Sequence, residues 1–160
     1  MKKTLLILRH AMPEDYSSQT QDDLRKLTEL GVAQANEVSK ALLSEGITPN
    51  RVISSDAVRA RHTAEIVCGN LGVNFTVNGD LYSSSINRVM STISKVSSDV
   101  DTLMIVGHNP TFTEITMKIS ESPVALRQAD CVVLTADIED WGLVDAVVWD
   151  LIKVVQPLSR

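Results

Sequence analysis

Hydrophobic positions along the chain alternate between two patterns. Thr4 to Leu8 is a short continuous apolar run, the signature of a strand buried on both faces. Similar short runs lie at Arg51 to Ser54, Thr102 to Val106 and Cys131 to Ala136, and Phe75 to Val77 is compatible with one more. A longer run, Val144 to Val155, reads as a final strand, with Asp137 to Gly142 as the turn before it and Pro157 after it. Between the runs the spacing changes to that of helices. Thr28 can cap a helix whose inner face carries Ala35, Val38 and Leu42, stopped at Gly46. Ala57 to Leu71 repeats the pattern through Ala60, Ala64 and Val67, and Gly72 ends it. Ile86 to Val96 does so through Val89, Met90 and Ile93. After Asn109-Pro110, Thr111 and Glu114 have capping-box spacing for a helix to about Ile119. The stretch from Pro13 to about Lys26 has neither period, so it reads as a long loop, a class that is usually functional or mobile.

Short strands alternating with amphipathic helices predict an α/β fold: three layers, α/β/α, around a mostly parallel sheet. The last strands have no helix between them, which predicts an antiparallel edge. No repeat, low-complexity stretch or linker divides residues 1–160, so a single domain is expected.

Composition narrows the picture. Apolar residues make up 44% of the 160 residues and aromatics only 4%, so the core must be built mostly from Leu, Ile, Val and Ala. The net charge of −5 argues against nucleic acid as a partner, because backbone binding needs a basic face. Cys68 and Cys131 lie far apart without metal-ligand spacing and are expected to be buried, reduced thiols. Met1-Lys-Lys precedes an apolar run too short for a secretory leader, and no stretch is long enough to span a bilayer. A cytoplasmic protein without a membrane partner is expected.

Candidate chemistry sits at strand ends, where open α/β sheets bind ligands. His10 follows the first strand, directly after Arg9. His108 follows the strand Thr102 to Val106, within Gly107-His108-Asn109-Pro110, just before a helix start that favours an anion. The two imidazoles should therefore face one crevice.

Three motifs carry a resemblance. Leu8-Arg9-His10-Ala11 resembles the Arg-His-Gly signature of the histidine phosphatase (phosphoglycerate mutase-like) superfamily, with Ala in place of Gly as in its small bacterial branch. Ser55-Asp56-Ala57-Val58-Arg59-Ala60-Arg61-His62-Thr63-Ala64-Glu65 is similar to that family's second motif, and Val106-Gly107-His108-Asn109-Pro110 to its third. Leu81-Tyr82 falls where the small branch has the same pair. Order, intervals and length agree best with the SixA-type phosphohistidine phosphatases.

The resemblance implies roles. His10 is the nucleophile that becomes phosphorylated, and its other ring nitrogen should donate to a backbone carbonyl. Arg9 and Arg59 supply the fixed charge and planar forks that suit phosphate. His108, with Asn109, binds the transferring oxygens. Arg61 and His62 read as solvated, since a helix turns them away from Arg59. No metal and no cofactor is expected. Sugar-phosphate members place a proton-donating carboxylate between the second and third motifs. Here that segment offers only Asp80, Asp99 and Asp101, the last two at the wrong end of the sheet. The loop adds Glu14 and Asp15 as candidates for an acid or a partner contact. The absence of a clear acid favours a phosphohistidine-bearing protein, such as a phosphotransfer domain, as partner of a monomeric phosphatase. A small phosphate ester, or phosphate binding without turnover, are the alternatives.

Overall fold

The computed structural model describes residues 2–160. Strand β1, Lys2–Arg9, runs through the middle of a six-stranded sheet. It is followed by α1 (Glu29–Ser44), β2 (Arg51–Ser54), α2 (Val58–Leu71), β3 (Thr76–Val77) and α3 (Ile86–Ser94). Then come β4 (Thr102–Gly107), α4 (Thr111–Ser120), β5 (Cys131–Asp137) and β6 (Asp150–Val155). The strand order is β3-β2-β4-β1-β5-β6. β3, β2, β4 and β1 pair in parallel, and β5 and β6 add the antiparallel edge. The fold is α/β with a mixed, mostly parallel sheet.

The alternation of side chains along a strand explains the layers. Leu5 and Ile7 of β1 join Leu103 and Ile105 of β4 in a core covered by α3 and α4. Leu6 and Leu8 face the other way, with Met104 and Val106, into a core covered by α1 and α2. Leu5 to Leu8 are fully buried, and each such side chain contributes roughly 1.5–3 kcal/mol relative to exposure. Both cysteines are free and buried, Cys131 on β5 and Cys68 on α2. Among the described residues no helix is long and apolar enough to cross a membrane.

Three elements differ from the sequence reading. The run Val144 to Val155 becomes a strand only from Asp150. Before it, Trp141 in a 3-10 turn and Trp149 stack with ring centroids 5.9 Å apart, and their indole N–H groups donate to the carbonyls of Val100 and Val144. Burying two indoles whose polar ends need partners takes precedence over extending the ladder. The helix α3 stops at Ser94, and the amide of Val96 only closes a turn onto Ile93. Thr111 does not cap α4 but is its first residue; Asn109 supplies the acceptor, its Oδ1 taking the amide N–H of Thr113 at 3.2 Å. The N-cap position itself is Pro110, which has no polar side chain to offer, so the residue before it supplies the oxygen that one of the unpaired first-turn amides needs.

The long loop is tied down at its roots. Thr28 caps α1 by accepting from the Gly31 amide, and both its own N–H and its hydroxyl donate to the Met12 carbonyl. A Cβ on Gly31 would come within 2.2 Å of that same carbonyl oxygen, so only glycine lets α1 rest there. Pro13 bridges Leu27, and the Glu14 amide donates to the Lys26 carbonyl.

Candidate active site

β1 and β4 run in register, Arg9 opposite Gly107, so the residues that follow emerge side by side at the carboxyl edge. The His10 amide donates to the Gly107 carbonyl at 3.0 Å. The two imidazoles stand 5.1 Å apart, centroid to centroid, and both are nearly buried. The Tyr82 ring also packs against His108, at 5.1 Å between centroids.

The state of His10 follows from its neighbours. Nδ1 lies 2.7 Å from the Ala11 carbonyl oxygen, which can only accept, so Nδ1 carries the proton. Nε2 is left with its lone pair, aimed at the Arg59 Nε–H 3.4 Å away. Burial pushes the His10 pKa down to about 3 despite the Ala11 contact, and the charges of His108, Arg59 and Arg9 act in the same direction as burial. The ring is therefore neutral at neutral pH. Burial and the Arg59 charge likewise lower His108 to about 3. Its Nε2 meets the Ser55 hydroxyl at 2.8 Å, while its buried Nδ1 has no partner among the described residues.

Arg59 reaches the site from the first turn of α2. Thr63, one turn on, donates to the Arg59 carbonyl and accepts from the Ala11 amide, which ties α2 to the chain after His10. The guanidinium also holds Asp22: Nη1 donates to its main-chain carbonyl at 2.7 Å and Nη2 to its carboxylate at 3.1 Å. Tyr82 donates its hydroxyl to the same carboxylate, and Arg25 Nε donates to the other oxygen at 3.1 Å. Burial raises the Asp22 pKa, but the Tyr82 hydrogen bond and the Arg59 and Arg25 charges outweigh it and bring the carboxyl to about 2.

His10, His108 and Arg59 thus share one crevice. Arg9 adds its charge to them, but its Nη1 donates to the Leu126 carbonyl at 3.0 Å and its buried Nε has no partner among the described residues. The Asn109 side chain is turned outward from the histidines: it donates to the Leu126 carbonyl and accepts from Thr113. Arg61 is exposed, its Nε donating to the Asp56 carbonyl. His62 is half-buried rather than fully solvated, in a shallow depression beside Lys26 and Glu65, outside the crevice.

None of the five carboxylates named from the sequence reaches the histidines. Asp101 pairs with Lys3 at the amino end of β1, and Asp99 lies beside it in the chain. Asp80 lines a separate cavity of about 280 Å³ with Arg51 and Lys95. Glu14 and Asp15 are exposed. The acid at the site is Asp22, which the sequence reading passed over. Asp22 and Arg25 have the three-residue spacing of a local ion pair, and that spacing inside a long loop is the signal that could have found it.

Residues 5–82 match the family model of the histidine phosphatase superfamily (branch 1). Among solved structures, the chain superposes on a protein named as the phosphohistidine phosphatase SixA of Nakamurella multipartitia with a TM-score of 0.87, at 21% identity, over 99% of this chain and 98% of that one. The protein histidine phosphatase SixA complexed with tungstate gives 0.82 at 18% identity, over 96% and 97%. A mycobacterial glucosyl-3-phosphoglycerate phosphatase gives 0.68 at 17% identity, over 99% and 100%.

Proposed function

We propose that this chain, whose residues 5–82 match the family model of the histidine phosphatase superfamily, hydrolyses phosphohistidine in a protein partner through a phosphorylated His10. The observation that carries the reading is the His10 ring itself: Nδ1 committed to the Ala11 carbonyl, Nε2 unprotonated and facing Arg59. A neutral nitrogen with a fixed lone pair beside a guanidinium suits attack on a phosphorus whose oxygens need positive charge.

The reaction runs in two displacements. His10 Nε2 bonds to phosphorus as the bond from phosphorus to the substrate imidazole breaks, and the freed nitrogen takes its proton from solvent. Arg9, Arg59 and His108 hold the transferring oxygens, which spread charge in the transition state. Water then attacks phospho-His10. The new P–O bond replaces the P–N bond, phosphate leaves, and the ring returns to its neutral form. The proton released by water goes to phosphate or bulk.

Asp22 bears on the substrate class. With its pKa at about 2 the carboxyl is ionised at neutral pH, so in this arrangement it has no proton to give an alkoxide. A phosphorylated imidazole needs no such acid, because imidazole leaves readily once protonated. Asn109 fits as the residue that holds the segment around Leu126 against Arg9, and any share in anion binding would fall to what remains of its donors.

The likeness to a glucosyl-3-phosphoglycerate phosphatase supports a second reading, a small phosphate ester as substrate. Phosphate release from a phosphorylated histidine-containing transfer domain, compared with release from small esters, decides between them. The first reading expects the protein to be dephosphorylated far faster; ester turnover well above it selects the second.

A further inference from the structure

A second basic cavity opens beside the crevice. It measures about 370 Å³ and is lined by three arginines, Arg9, Arg127 and Arg160, with Gln34, Gln128, Leu30 and Met12. Two carboxylates are bonded around it: Glu37, which accepts from the amide and hydroxyl of Ser159, the residue before Arg160, and Asp130, which is fully buried. It is already spent on Arg160 at 2.5 Å and on the Arg127 amide at 2.8 Å. Three arginines against these two carboxylates leave one positive charge in surplus on a chain whose net charge is −5. The guanidinium of Arg127 is exposed and has no partner among the described residues.

The cavity is rigidly joined to the crevice. Arg9 lines it, and Arg9 precedes His10. The Ala129 amide donates to the carbonyls of both Arg9 and His10, and the Arg9 amide donates to the Asp130 carbonyl. Ala129 adopts φ 65°, a left-handed conformation that a residue with a Cβ takes only when its surroundings impose it. Gln34 is pinned from the opposite wall, accepting from the Met12 amide and donating to the Ser159 carbonyl.

We propose that this cavity is a subsite for an acidic side chain, Asp or Glu, that flanks the phosphohistidine in the polypeptide substrate. The inference rests on the proposed function. Guanidinium forks and side-chain amides pair with a carboxylate in the plane of its two oxygens, and Leu30 can cover the methylene stem. Because the rim is one residue from His10, roughly 3.8 Å along the chain, the acidic residue would lie within a few positions of the phosphorylated one.

The test uses synthetic peptides carrying one phosphohistidine, flanked either by Asp and Glu or by Lys. For each enzyme, kcat/KM on a peptide is divided by kcat/KM on free phosphohistidine, which cancels any general loss. The wild type should favour the acidic peptide by ~10-fold or more at low salt, with the preference shrinking as ionic strength rises. Arg127→Gln should reduce the preference, and Arg127→Glu should abolish or reverse it. Equal ratios for the two wild-type peptides, or a preference unchanged in Arg127→Glu, overturn the subsite while leaving the phosphohistidine reading standing. If the wild type hydrolyses small esters but neither peptide, both fall together.

Discussion

Arg59 grips Asp22 at two points, the main-chain carbonyl through Nη1 and the carboxylate through Nη2, so the protein's own anion occupies the guanidinium that the proposed reaction assigns to the substrate phosphate. The carboxylate is about one-third exposed, so it can be displaced, but phosphate must compete with it. Asp22→Asn should therefore bind vanadate or inorganic phosphate more tightly, by ~2–5-fold, the scale of an exposed ion pair. Product inhibition measures it. Weaker binding in Asp22→Asn would mean that Asp22 assists the bound anion rather than opposing it.

Removal of the proposed nucleophile should be severe. His10→Ala should lose at least ~10³-fold in kcat, as expected for a covalent catalyst. Quenching the wild type in base during turnover should trap a phosphoenzyme that is stable in base and labile in acid. Near-normal turnover by His10→Ala excludes the covalent route.

Arg59 acts through geometry as well as charge. It offers Nε to His10 and both terminal nitrogens to Asp22, an arrangement a lysine cannot copy. Arg59→Lys should weaken vanadate binding although net charge is unchanged, and Arg9→Lys should do the same. Arg61→Ala, on an exposed side chain bonded only to a backbone carbonyl, should behave as wild type.

The buried histidines make stability acid-sensitive. Their folded pKa values of about 3 lie below the unfolded value of 6.5, so between these limits the unfolded chain binds more protons. Stability should fall as pH drops below about 6.5, with each histidine costing about 1.4 kcal/mol per pH unit. Asp22, lowered to about 2, works in the same direction over a lower range, as pH falls through its usual value towards 2. Chemical denaturation between pH 7.5 and 4.5 tests this, and the His10 ring should stay neutral by NMR over that range. A flat stability profile would place the histidines in contact with solvent.

Much of the site was legible because it hangs from the most apolar part of the chain. Leu5 to Leu8 and Leu103 to Val106 are buried on both faces, and residues at the ends of such strands can hardly avoid the same edge. Asp22 was not legible in that way. Its position depends on Arg59, Tyr82 and Arg25, which lie in three separate segments, and a polar loop has no period from which to read a direction. The run Val144 to Trp149 misled for the opposite reason: apolar residues announce burial, and only the indole partners decide between strand and turn.

The stacked indoles also make a built-in spectroscopic probe. Trp141 and Trp149 are the chain's two tryptophans, and they sit where Val100 leads into β4, roughly 20 Å from the histidines at the other end of that strand. Their emission should respond to loss of packing as the chain melts and stay nearly silent when an oxyanion enters the crevice. Intrinsic fluorescence thus offers a melting signal for every variant above, free of interference from ligand occupancy.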